Sequence, residues 1–148
     1  MSFEGALRLE IAGSPLYLLR EKAIFLAESK VLVVADTHLG KDFHFTRHGL
    51  PVDGPTRETI ENLQHLIDLT RPARIVFAGD LFHSSLNESW PAFAEFARSI
   101  GLPVSLARGN HDIIPTRRYD ELGIESADLE LFQPAFDKSQ PAIIAVQE

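Results

Sequence analysis

Three short polar clusters hold the residues of this chain best suited to chemistry: Asp36-Thr37-His38, Gly79-Asp80 and Gly109-Asn110-His111-Asp112. Together they offer carboxylate oxygen, imidazole nitrogen and amide oxygen, the donor set of hard-to-borderline divalent cations. Each follows an apolar stretch that reads as a buried strand: the continuous run Val31 to Ala35, then Ile75 to Ala78 and Val104 to Ala107. In an open α/β sheet, ligands bind outside the carboxyl ends of the strands, so clusters far apart in the chain would converge there. A carboxylate at Asp80 could bridge two ions, with Asp36 and His38 on one and Asn110 on the other. Two cations about 3.5–4 Å apart clamp a phosphate and activate a water for in-line attack. Taken singly, the clusters have plainer explanations, because Asp-x-His caps loops and Gly-Asp is an ordinary turn dipeptide. All three in this order, each behind a buried strand, point to a metal-dependent site.

The elements that must position these clusters are legible as patterns. Leu7, Leu9 and Ile11 alternate, Ser14-Pro15 predicts a turn, and Leu16 to Leu19 and Ala23 to Leu26 read as two more strands around Arg20-Glu21-Lys22. That makes an N-terminal antiparallel meander. Residues 40–55 are loop-like, with Gly49, Pro51, Gly54 and Pro55. Thr56 is placed as the N-cap of a helix running to about Leu69, with Ile60, Leu63, Leu66 and Ile67 as its buried stripe and Arg71-Pro72 as its stop. A second helix is expected from Glu88 to Ser99, with Trp90, Phe93, Ala94 and Ala97 on one side and Gly101 just beyond. Strand, helix, strand, helix, strand implies right-handed crossovers and a mainly parallel sheet. Residues 1–148 read as a single α/β domain.

Composition narrows the partners. With 45% hydrophobic and 24% charged residues, the chain is globular rather than disordered. Fourteen Lys and Arg against 21 Asp and Glu give a net charge of −7, which excludes a general basic surface for nucleic acid. Phosphate chemistry would need local cationic help. The absence of cysteine excludes disulfides, thiolate zinc sites, iron–sulfur clusters and Cys nucleophiles. Glu4, Arg8 and Glu10 interrupt the N-terminal residues, unlike a signal peptide, and no apolar stretch approaches a membrane span. A cytoplasmic protein with no membrane partner is expected.

The three clusters resemble the first three motifs of the calcineurin-like metallophosphoesterases. Leu18-Leu19, Glu21-Lys22-Ala23, the run from Val33 to Lys41, Arg47 with Gly49 to Val52, and the run from Gly79 to Ser84 are similar to the PdeM-like branch, the ligase-associated DNA damage response endonucleases. The similarity spans roughly Leu7 to Leu131. It implies the α/β sandwich of that family and metal-dependent hydrolysis of phosphodiesters, with DNA as substrate and a DNA ligase or helicase of repair as partner. It also implies Asp36, His38, Asp80 and Asn110 as ligands of two divalent ions, Asp80 bridging and Asn110 on the second metal. Manganese is the expected ion; zinc, iron and magnesium also suit such ligands. His111 matches the histidine that contacts the phosphate and protonates the leaving oxygen. Lys41, Arg47 and Arg108, all beside motif positions, are the expected phosphate contacts.

Two departures from the family pattern matter. Many superfamily members carry a second Asp three positions after the motif-two Asp, orienting the catalytic His; here that residue is His83, and Asp112 becomes the candidate partner of His111. Full-length relatives also draw ligands from a later histidine and from a Gly-His-x-His motif, whereas this chain has no histidine after Asp112, and residues 132–148 are unlike the family. The resemblance therefore implies a C-terminal part that is truncated or replaced and an incomplete second metal site. His65 is placed on the polar side of its helix, and His44, His48, Phe43 and Phe45 belong to the loop after the first motif. Alternatives to a DNA endonuclease are a phosphoesterase acting on nucleotides or small phosphate esters, and a binding module whose catalysis is impaired.

Overall fold

The computed structural model describes residues 2–35, 54–79, 81, 89–108 and 114–128. Seven strands form one sheet in the order of the chain: β1 (Leu7–Ile11), β2 (Ser14–Leu19), β3 (Ala23–Leu26), β4 (Val31–Val34), β5 (Arg74–Ala78), β6 (Val104–Arg108) and β7 (Glu125–Asp128). The first three pairings are antiparallel and the last three parallel. The sheet is thus mixed rather than mainly parallel, because the N-terminal meander continues the same sheet through β3–β4.

Local chemistry explains the hairpins. The turn between β1 and β2 is Ala12-Gly13, with φ of 50° and 82°, and not the expected Ser14-Pro15. Two residues at positive φ give the hairpin turn whose twist matches the strands. Pro15 instead sits inside β2, one residue beyond the first β2–β3 pair Leu16↔Leu26, so its missing N–H falls off the end of that ladder. Its carbonyl still accepts from the Ala27 N–H at 3.3 Å.

Three helices connect the parallel strands: α1 (Gly54–Thr70), α2 (Ser89–Ile100) and α3 (Thr116–Glu121). α1 begins two residues before the expected cap at Thr56, with Pro55 in its first turn, where a fixed φ and an absent N–H cost nothing. Its end is as expected. Thr70 Oγ1 donates to the Leu66 carbonyl at 2.8 Å, and Arg71, at φ 46°, donates its N–H to the Ile67 carbonyl just before Pro72. α2 starts at Ser89 rather than Glu88 and gives way to Gly101 at φ 65°.

The core lies on one face of the sheet. Tyr17, Phe25, Leu32, Val34, Ile75, Phe77 and Leu106 point from the strands into the same cluster as Leu63 and Leu66 of α1, Phe93 and Phe96 of α2, and Tyr119 of α3. Trp90 bridges the helices, its ring 5.9 Å from Phe93 and 5.5 Å from Tyr119. The opposite face carries the smaller cluster Leu16, Leu26, Val31 and Val76, all from strands. Beyond it, the Arg74 guanidinium donates to Ser105 Oγ on β6 and reaches Glu125 on β7 at 3.5 Å. β7, absent from the sequence expectation, is a strand by its pairing with β6 (Ser105↔Glu125 to Arg108↔Asp128) rather than by any apolar pattern. Among the described residues no helix is long and apolar enough to cross a membrane.

Phe77, 1% exposed and edge-on to Phe93 at 6.0 Å, joins β5 to α2. Phe77→Ala should cost about 3–5 kcal/mol in urea unfolding, whereas Leu69→Ala, 41% exposed on α1, should stay within about 0.5 kcal/mol of the parent. Equal effects would contradict this placement of the core.

Candidate functional site

The site is built from the outgoing ends of three parallel neighbours. Val34 of β4 stands beside Phe77 of β5, and Phe77 beside Leu106 of β6. The next residues, Ala35, Ala78 and Ala107, therefore form one row across the sheet. Asp36 follows Ala35 directly, Asp80 comes two residues after Ala78, and Asn110 three after Ala107. With neighbouring strands about 4.8 Å apart, the three chains leave the sheet within about 10 Å of one another. Apolar runs on both faces of these strands set that common edge, and the polar clusters begin where the runs stop.

Each exit is anchored by what flanks it. The Ala35 N–H donates to the Lys22 carbonyl at 3.3 Å, fixing the end of β4 against the turn between β2 and β3. β5 breaks at Gly79, which is buried at φ 77°, a conformation glycine takes without penalty. Leu81, on the far side of Asp80, is fully buried in the core. Motif three is bounded by Arg108 and by Ile114, itself fully buried. The Arg108 guanidinium joins the two described flanks of the motif, donating to Thr116 Oγ1 at 2.8 Å and to the Ile114 carbonyl at 3.2 Å. Sequence reasoning missed this clasp, since an Arg eight residues before a Thr carries no local signal.

Of the expected site residues, the structure describes Arg108. Asp36, His38, Lys41, Arg47, Asp80, Asn110, His111 and Asp112 lie outside the described residues, as do His44, His48, His83, Phe43 and Phe45. Among the described residues no group of three His, Asp or Glu side chains could hold a metal ion. His65 is exposed on α1, as its place on the polar side implies.

A model of the calcineurin-like phosphoesterase domain matches residues 29–144. The chain belongs to the calcineurin-like phosphoesterase family. The match reaches past Leu131, where the likeness read from the motifs stops, and the family is the one those motifs pointed to. This calcineurin-like phosphoesterase also resembles the crystal structure of Pseudomonas putida nuclease MPE, with a TM-score of 0.71 and 25% identity over 88% of this chain and 64% of that one. It thus spans slightly less than two thirds of that nuclease's length. No curated protein matches it in sequence.

The donor set fits the divalent ions of this family. Aspartate, histidine and asparagine follow the ends of adjacent strands, and no cysteine competes for a softer metal. For the clasp, a double-mutant cycle with Arg108→Ala and Thr116→Ala should return a coupling of about 0.5–1.5 kcal/mol in thermal unfolding. Strict additivity would show that the 2.8 Å bond contributes nothing to the loop.

Proposed function

We propose that this chain is a metal-dependent phosphodiester hydrolase acting on DNA. The observation that carries the reading is the common edge of β4, β5 and β6, where the strands end beside one another just before Asp36, Asp80 and Asn110. Asp36, His38 and Asp80 would hold one divalent ion, manganese first among the candidates, and Asp80 with Asn110 would supply only part of a second site. Bound there, such ions supply Lewis acidity toward the phosphoryl oxygens.

The chain's own residues would do the rest. His111 holds a proton for the leaving oxygen, and Asp112 next to it orients the imidazole and favours its charged form. Lys41 and Arg47 bind the phosphodiester from the loop after motif one. Arg108, whose guanidinium donates to Thr116 Oγ1 and the Ile114 carbonyl, would be a further phosphate contact. The nuclease named among its structural neighbours supports nucleic acid as the substrate class. Work beside a ligase or helicase in DNA repair, in the cytoplasm, rests on the likeness of the motifs to the PdeM-like branch.

The net charge of −7 favours a second reading, a phosphoesterase for nucleotides or other small phosphate esters, because a small anion needs no extended basic surface. Hydrolysis of bis(p-nitrophenyl) phosphate with added manganese tests the chemistry common to both. Asp80→Asn should lower the rate by more than about 10²-fold, since even partners of metal ligands cost up to that much. Unchanged turnover in Asp80→Asn would sink the assignment. Nicking of plasmid DNA that falls steeply with salt would select DNA over small esters.

A further inference from the structure

We propose that the cleft between the β2–β3 turn and α1 is a subsite for the nucleotide flanking the scissile phosphodiester, with Arg20 and Lys22 as its phosphate contacts. This rests on the reading above and extends the same site. The cleft has a volume of about 440 Å³, room for one nucleotide unit, and is walled by Arg20, Glu21 and Lys22 on one side and by Thr59 and Asn62 on the other. Ala35 also lines it, and the residue bonded to Ala35 is Asp36. The cleft therefore opens one residue from the first metal-ligating motif. The bond from the Ala35 N–H to the Lys22 carbonyl ties its cationic wall to the strand end that carries that motif.

Charge and chemistry agree with this occupant. Two cations against the single carboxylate of Glu21 leave this wall net positive on a chain that is net negative. It supplies the local cationic help that the overall charge withholds. Thr59 and Asn62, one helical turn apart, line the cleft with a hydroxyl-bearing and an amide-bearing side chain, groups that suit a sugar or a base edge.

Both cations are exposed, and each has a local feature of its own. Gly5, at φ 73°, lies so close to the Arg20 guanidinium that a Cβ there would overlap it. Phe3 fixes the same N-terminal segment, its ring edge-on to Tyr17 at 5.0 Å and to Phe25 at 5.8 Å. Lys22 occupies the last position of the three-residue loop between Leu19 and Ala23 at φ 56°, where glycine would be easier.

The test is fluorescence anisotropy of the full chain with a fluorescein-labelled single-stranded oligonucleotide, in EDTA so that no hydrolysis occurs. Arg20→Gln and Lys22→Gly should each weaken binding by about 5–10-fold at low salt and reduce the slope of log K against log salt by about 0.7. Lys22→Gly should do so with an unchanged or higher melting temperature, because glycine suits that turn. Undetectable binding by the parent chain, or unchanged affinity and slope in both variants, overturns the proposal. So does displacement of the oligonucleotide by AMP at equal phosphate concentration, which would make the cleft a small-ester site. Manganese-dependent hydrolysis of bis(p-nitrophenyl) phosphate is read separately, so failure of the hydrolase reading and failure of the cleft remain distinguishable.

Discussion

The parallel register of β4, β5 and β6 is the constraint on which the rest depends. A one-residue slip would turn Val34, Phe77 or Leu106 away from the helices and set one strand end out of line with its neighbours. What forbids the slip is the core: Phe77 and Leu106 are buried against Phe93 and Tyr119, while Val76 takes the other face with Val31. Burial of this kind is non-directional, yet the period-two geometry of the sheet converts it into a fixed position for the residue after each strand. Stability and site geometry are therefore set by the same contacts.

From that edge outward, control passes from packing to single interactions. Leu81 and Ile114 act as apolar anchors just past two of the motifs, Gly79 allows the turn that starts one of them, and Arg108 spans another. The N-terminal hairpins contribute at the opposite side. By extending the sheet beyond β4 they bring Arg20 and Lys22 to the end of the strand that leads to Asp36, and the Lys22 carbonyl fixes them there. The meander is thus both an extension of the core and one wall of a cleft.

Much of this was legible in the sequence, for a physical reason. β4, β5 and β6 are largely buried on both faces and so appear as mostly apolar runs, and the stripe of α1 repeats at helical spacing with Leu63 and Leu66 buried as expected. The metal-ligating candidates stood out because polar types begin abruptly where those runs end. Features that depend on tertiary partners were not legible. β7 has no apolar pattern and exists through its ladder with β6; the Ala12-Gly13 turn was masked by a Ser-Pro pair that fits equally well at a strand start. The Arg108 clasp and the Arg20–Lys22 cleft each join residues that share no periodicity.

On the proposed reading, the level ends of β4, β5 and β6 deliver Asp36, His38, Asp80 and Asn110 to a divalent-metal centre. Anomalous diffraction from crystals grown with manganese tests it most directly. An anomalous peak is expected beyond the ends of β4 and β5, with Asp36, His38 and Asp80 as ligands about 2.0–2.6 Å away. An ordered site at saturating manganese with no peak there, or with the ion held by other residues, would contradict it.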